Sequence, residues 1–199
     1  MAAASPTIAR SSAGLDQFFQ ALAGLSGLSI LDLGGASQAN VGFITGMGYR
    51  LYSEDFLRSL DTAFGDGNFY ANQLIEERIE RFCSQCLDFE EGQLDGVLLW
   101  DSLEYLSPPL LGLTLEQIHR ILRPGGVMLA YFHTDERAAA VPAYSYRIAD
   151  TRQLQLTERG QRKPAQHFHN RAIERVFRNF SSIKFYLTRD NLREVLVRR

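Results

Sequence analysis

Two cysteines, Cys83 and Cys86, are all that this chain of 199 residues carries. A disulfide framework or a four-ligand zinc site needs more, so neither is expected. Their lone C-x-x-C falls late in a helical pattern and not at a helix N-terminus, which leaves no cause for an activated thiolate; both read as half-buried structural thiols. No run of about 18 uninterrupted apolar residues occurs, so no transmembrane helix is expected. The opening MAAASPTIARSSAG lacks the apolar centre of a secretory signal and reads as a mobile tail over residues 1–14, with the cytoplasm as default address. No internal repeat or low-complexity linker divides the rest. With 45% hydrophobic and 22% charged residues, residues 15–199 suffice for one compact domain.

Net charge is small as well, −2, but it sums two opposite halves. Residues 1–136 hold 7 Lys/Arg against 18 Asp/Glu, whereas 137–199 hold 14 against 5. Either the halves neutralise each other within the domain, or they face partners of opposite sign.

Ser12 is placed to cap a helix from about Leu15 to Leu25, with Leu15, Phe18, Phe19 and Leu22 on one face. Leu28-Ser29-Ile30-Leu31-Asp32-Leu33 then reads as a buried strand ending at Gly34-Gly35, followed by a helix over Ala39–Met47 and a strand over Arg50–Glu54. Strand, helix and strand in under thirty residues mark a βαβ unit. Residues 56–86 are helical in pattern, and a third strand is hard to see there. Leu94 to Trp100 is apolar on both faces, as a central strand of a parallel sheet is. Pro108-Pro109 closes the next segment. A helix over Leu113–Leu122 and the turn Arg123-Pro124-Gly125-Gly126 lead into the strand Val127–Phe132, a second βαβ unit. Beyond it Ser145–Thr157 alternates as a hairpin, Asn170 caps a helix to about Phe180, and Ile183–Leu187 and Leu192–Val197 read as final strands.

In an open parallel sheet, ligands bind beyond the carboxyl ends of the strands. Three turns fall there. Asp32-Leu33-Gly34-Gly35-Ala36-Ser37 lets backbone pass close to a ligand and offers amides at a helix start; it is not a G-x-G-x-x-G fingerprint, since Ala36 and Gln38 stand where further glycines would be. Glu54 and Asp55 end the second strand, where a carboxylate can accept both hydroxyls of a ribose. Trp100-Asp101-Ser102-Leu103-Glu104-Tyr105 closes the central strand with polar groups.

Over residues 28–132 these segments resemble the class I S-adenosylmethionine-dependent methyltransferases that act mostly on small molecules. Ile30 to Ser37 is similar to that family's nucleotide-binding loop, Phe89 to Leu106 to the stretch walling the methionine end of the cofactor, and Ile121 to Leu129 to the turn before its fifth strand. The resemblance implies an α/β, Rossmann-like, doubly wound, mostly parallel seven-stranded sheet with helices on both faces and an antiparallel C-terminal strand pair. It implies S-adenosyl-L-methionine as cofactor, bound by Asp32, Gly34, Gly35, Ala36, Ser37, Glu54, Asp55, Trp100, Asp101 and Ser102. Residues 15–136 would be the cofactor half; the hairpin, helix and last strands of 137–199 would form the substrate cover. Three places depart from the pattern, one being Tyr105, which stands where the family often has a histidine after the fourth strand. Gln38 replaces a small residue, and Cys83, Ser84 or Gln85 stands where an acid often meets the adenine amine, which leaves Gln85 or backbone to bond its edge.

A sulfonium cofactor suits an acidic pocket, and in-line methyl transfer depends chiefly on holding the acceptor near attack distance, so no nucleophilic triad is needed. His133 or Asp101 is the candidate base. Glu104, Tyr105 and Tyr131 are candidate acceptor contacts, and Arg147 and Arg152 would hold an anionic acceptor. Alternatives are a catalytically inactive scaffold of the same fold and, from the basic last third, an RNA-directed enzyme; the arginines form no evident stacking platform, so a small acceptor is preferred to nucleic acid. His167-Phe168-His169 has a metal-compatible spacing but no accompanying Cys or clustered carboxylate, so no metal is expected.

Overall fold

The computed structural model describes residues 6–188 and 190–199. In chain order the elements are β1 (Thr7–Ser11), α1 (Ala13–Leu22), β2 (Ser29–Asp32), α2 (Gln38–Gly46), β3 (Arg50–Ser53), α3 (Phe56–Phe64), α4 (Phe69–Asn72) and α5 (Glu76–Cys86). There follow β4 (Leu94–Trp100), a 3-10 turn (Ser102–Tyr105), α6 (Pro108–Ile121), β5 (Leu122–His133), β6 (Val141–Ile148), β7 (Gln153–Arg162), α7 (Asn170–Val176), β8 (Ser182–Tyr186) and β9 (Leu192–Arg198).

The main sheet runs β3-β2-β4-β5-β9-β8. Its first four strands are parallel, and β9 and β8 continue it antiparallel. Every residue of β4 is buried, as its unbroken apolar run requires, because such a strand is stable only with both faces covered. One face carries Leu15, Phe18 and Leu22 of α1 together with Tyr146, Ile148 and Leu154 of the β6–β7 hairpin. The other carries α3, α5, α6 and α7 over Leu31, Val97, Leu99, Met128 and Phe132. Gly96 sets how closely α1 approaches: a Cβ there would lie 2.7 Å from the Phe18 ring, nearer than packing tolerates.

Among the described residues the main sheet has six strands, not seven. Between β3 and β4 the apolar residues Phe56, Leu60 and Phe64, then Ile79, Phe82 and Cys86, recur at helical spacing, which leaves no period-two run to form a strand. The expected N-terminal tail is also corrected over the described part of 1–14. Thr7–Ser11 pairs antiparallel with β7, and a separate three-stranded sheet β1-β7-β6 results. Arg10 anchors it, buried between Glu194 and Asp190 and donating to the Leu192 carbonyl 3.1 Å away. Residues 1–5 lie outside the described residues.

Local signals behave as their chemistry demands. The Ser12 hydroxyl accepts from the Leu15 amide at 3.0 Å and caps α1, satisfying a donor that the helix leaves free. Pro108 and Pro109 begin α6 and do not end the preceding segment, since proline at a first helical position loses no hydrogen bond. His169, not Asn170, caps α7. The turn at Arg123–Gly126 is absorbed into β5 as a register shift, from Leu94 opposite Leu122 to Gly96 opposite Val127.

Candidate functional site

The carboxyl ends of β2, β3 and β4 meet at one edge of the sheet. Asp32 is fully buried there, and its Oδ1 accepts from the Trp100 indole at 2.6 Å and from the Gly34 amide at 2.9 Å. Oδ2 takes the Asn40 side-chain amide at 2.7 Å. Burial pushes the Asp32 pKa up, with the three hydrogen bonds opposing it. Trp100 reaches this position with φ of +52°, a left-handed backbone that costs a bulky residue on the order of 1–3 kcal/mol and persists only where surrounding contacts fix it. A Cβ on Gly34 would lie 2.7 Å from the indole nitrogen, so glycine is required for the tryptophan to lie over the turn.

The β6–β7 hairpin closes over the same spot. Tyr146 stacks on Trp100 with ring centroids 4.6 Å apart and planes 7° from parallel. Asn40 ties the stack down by donating to the Tyr146 carbonyl at 3.0 Å and accepting the Ile148 amide at 2.8 Å. At the end of β3, Asp55 caps α3 through the Arg58 amide. Arg159 of the hairpin grips the same carboxylate bidentately, at 3.0 and 2.9 Å. Gly35, at φ +88°, donates its amide to the Glu54 carbonyl at 3.0 Å. Glu54 accepts the Ser59 hydroxyl. Beside this pair a cavity of about 870 Å³ opens between α3 and α5, lined by Glu54, Asp55, Arg58, Ser59, Gln85 and Cys86. Burial drives the Cys86 thiol up to about 12, which disfavours the thiolate.

Asp101, Ser102, Glu104 and Tyr105 follow β4 and are all buried. Ser102 bonds back to the Leu99 carbonyl at 2.6 Å. Burial raises Asp101 to about 7; nearby His133 lowers it and the Glu104 charge adds to the rise. Glu104 holds His133 twice, accepting its backbone amide at 2.9 Å and meeting its Nδ1 at 2.6 Å.

The candidate residues therefore divide. Asp32, Gly34, Gly35, Glu54, Asp55 and Trp100 come together at one edge, and Gln85 shares the neighbouring cavity. Ser37 caps α2 by accepting the Asn40 amide, and Ala36 is exposed beside it. Asp101, Glu104 and His133 form a second cluster. Tyr131, expected as an acceptor contact, is fully buried, its hydroxyl 2.8 Å from the Ser12 hydroxyl and its ring 5.0 Å from the Arg10 guanidinium carbon. Tyr105 is likewise core, beneath the Arg162 guanidinium at 5.2 Å. Arg147 is exposed on the hairpin and Arg152 pairs with Asp16 at 3.1 Å; neither lines the cavity beside Glu54. Arg152, Arg159 and Arg162 pair with Asp16, Asp55 and Asp61, so part of the opposite charge of the two halves is paired across the fold. Asn40 and Arg159 carry more of the site than sequence reasoning assigned them. The available signal was an amide in the first turn of the helix after the glycine loop, where a solvated polar residue is the ordinary case.

No protein-family model matches the sequence, nor does any curated protein. Solved structures do match. A Burkholderia thailandensis 1,6-didemethyltoxoflavin-N1-methyltransferase, solved with that substrate and S-adenosylhomocysteine, covers 94% of this chain and 76% of its own at 13% identity and TM-score 0.50. A Haemonchus contortus phosphoethanolamine N-methyltransferase 2 in complex with S-adenosyl-L-methionine covers 93% and 52% at 11% identity and TM-score 0.52. An S-adenosylmethionine-dependent methyltransferase from Archaeoglobus fulgidus covers 93% and 91% at 12% identity and TM-score 0.51. With the strand order and the glycine turn at the end of β2, these likenesses give the chain the class I S-adenosylmethionine-dependent methyltransferase fold.

Proposed function

We propose that the chain is an S-adenosylmethionine-dependent methyltransferase for a small acceptor, and that its own hairpin covers the cofactor cleft until it is displaced. The carrying observation is the pair Glu54 and Asp55 at the end of β3, beside the Gly34-Gly35 turn and the 870 Å³ cavity that Gln85 shares. The donor set fits the cofactor chemically. Asp55 can accept ribose hydroxyls, the Gly35 turn offers a close backbone approach, and acids at the strand ends suit a cation. The cofactor supplies an activated methyl group. The protein's part in an in-line transfer is then mostly to position the acceptor and exclude water.

The space is another matter. Trp100 and Tyr146 fill the volume over Gly34, and Arg159 holds the Asp55 carboxylate, so entry requires the hairpin to lift. An anionic acceptor has less support, because Arg152 is paired with Asp16 and Arg147 is exposed and outside the cavity beside Glu54. The same stack favours a second reading, a fold that has given up its cofactor and kept the hairpin as a permanent filling. Calorimetric titration with S-adenosylhomocysteine, run with hydrogen exchange on the Tyr146–Ile148 amides, separates the two. Saturable heat with faster exchange at those amides supports the enzyme. No heat at millimolar ligand, in the native chain and in Tyr146→Ala alike, supports the permanent filling.

A further inference from the structure

β1 is an outer strand of the three-stranded sheet β1-β7-β6. One of its edges is held by β7. The Ser12 amide donates to the Arg152 carbonyl at 2.8 Å, and Arg10 lies opposite Leu154 and Ile8 opposite Leu156 in the same register. Antiparallel ladders alternate, so Ile8, Arg10 and Ser12 carry the backbone groups that bond to β7. The N–H and C=O of Thr7, Ala9 and Ser11 point the other way, where no strand among the described residues pairs with them. A lysine, a proline or a bulge commonly guards such an edge, and Thr7–Ser11 has none of these. Its one charge, Arg10, is buried and held by Asp190 and Glu194. The strand also borders exposed apolar surface. Ile8 is 52% exposed and Leu187 87%, and both line a second cavity, of about 810 Å³, whose wall Arg10, Val141 and Leu156 continue. Contiguous apolar surface of this kind marks a contact site.

We infer that the open edge of β1 joins a second copy of this chain, antiparallel and two-fold about Ala9, into one continuous sheet. The chemistry of the edge selects this occupant. Thr7, Ala9 and Ser11 offer a foreign peptide no charge to recognise, whereas the strand turned over on itself is its own complement. Thr7 then faces Ser11 of the second copy, Ala9 faces Ala9, and every outward N–H meets an outward C=O. Short hydroxyl side chains oppose each other, a favourable cross-strand pair, and no like charges meet. Ile8 falls opposite Arg10 of the second copy. Because Arg10 lines the 810 Å³ cavity, each copy lays an exposed isoleucine at the rim of the other's cavity. The contact is isologous and closes at two subunits. Strand pairing alone covers less than the roughly 1,200–2,000 Å² that a stable interface buries, and the two apolar rims are the further surface available to it.

Sedimentation velocity of the purified full chain, over a micromolar concentration series with no cofactor present, is expected to show reversible conversion of monomer to dimer. Ala9→Pro removes an N–H that the β7 ladder does not use and sets a ring against the edge; it is expected to stay monomeric throughout with unchanged circular dichroism. Ala9→Lys sets two ammonium groups directly opposite each other, and Ala9→Glu two carboxylates. Each is expected to weaken dimerisation about two- to fivefold. An equimolar mixture of the Lys and Glu variants is expected to regain at least the native affinity, which neither a damaged fold nor an interface elsewhere produces. Hydrogen exchange locates the contact: the Thr7, Ala9 and Ser11 amides slow as concentration rises, whereas those of Ile8 and Arg10 are slow at every concentration. A chain that is monomeric over the whole series overturns the inference, and so does a dimer that Ala9→Pro and Ala9→Lys both leave intact. Because no cofactor is used, either result is independent of the methyl-transfer reading.

Discussion

Arg159→Gln should tighten the binding of S-adenosylhomocysteine while making the protein less stable. The arginine bridges the hairpin to Asp55 by two charge-assisted bonds of 3.0 and 2.9 Å. Both side chains are about one-third exposed (32% each), so solvent screens the pair and its contribution is about 0.5–1 kcal/mol. If the ligand binds only the form in which Asp55 is released, its apparent affinity is reduced by the fraction of that form. Removing the strap then raises affinity about two- to fivefold, the factor that 0.5–1 kcal/mol represents. The same energy, lost from the closed fold, lowers Tm by about 1–4 °C in a chain of this length. Calorimetry gives the first quantity and thermal unfolding the second. Trp100 is the only tryptophan, so its fluorescence reports the cleft directly. The control is Arg152→Gln, which removes the Asp16 pair outside the cleft and should leave affinity unchanged. An Arg159→Gln protein that loses stability with equal or weaker ligand binding would refute the competition between arginine and ligand for Asp55.

Three further changes test other parts of the argument. The Tyr146 hydroxyl is buried without a partner among the described residues, so Tyr146→Phe should leave Tm equal or raised, measured by thermal unfolding with the Trp100 emission unchanged. Gly34→Ala puts a methyl 2.7 Å from the Trp100 indole nitrogen; overpacking of this kind costs about 1–3 kcal/mol and should appear as a red-shifted, more quenchable Trp100 emission together with a lower denaturation midpoint. Asp101 is raised to about 7 from 3.8, so the folded chain holds a proton there that the unfolded chain has lost. That contribution to stability is complete below about pH 4 and disappears as pH rises through 7. His133, also raised, acts in the same sense at somewhat higher pH, and Asp190, held down by Arg10 though burial opposes it, acts oppositely in acid. Asp101→Asn should therefore gain more Tm relative to the native chain at pH 8 than at pH 5.

How far the fold was legible follows from the range of the interactions that make it. The all-apolar Leu94–Trp100 run and the Ser12 cap are local, and each stands where its chemistry puts it. Asp55 was legible as a strand-end acid for the same reason. What lies above such an acid is not local. Its Arg159 partner comes from 104 residues along the chain, and the Tyr146 carbonyl that Asn40 bonds comes from 106 residues away. The buried Arg10–Glu194 pair spans 184 residues, so the segment read as a tail became a strand through a contact that composition cannot express. Trp100 shows the same limit from the other side. Its place at the end of β4 was clear, but its positive φ and its stack on Tyr146 arise only when the hairpin is present, and they turn a wall of the cleft into its filling. The acidic half was read as awaiting a cation, and in this structure the cations it meets include the chain's own Arg159 and Arg162. Under the proposed function ligand and hairpin would address the same Asp55 carboxylate; in the structure the charge split that seemed to describe two partners is bridged there by Arg159–Asp55 and Arg162–Asp61.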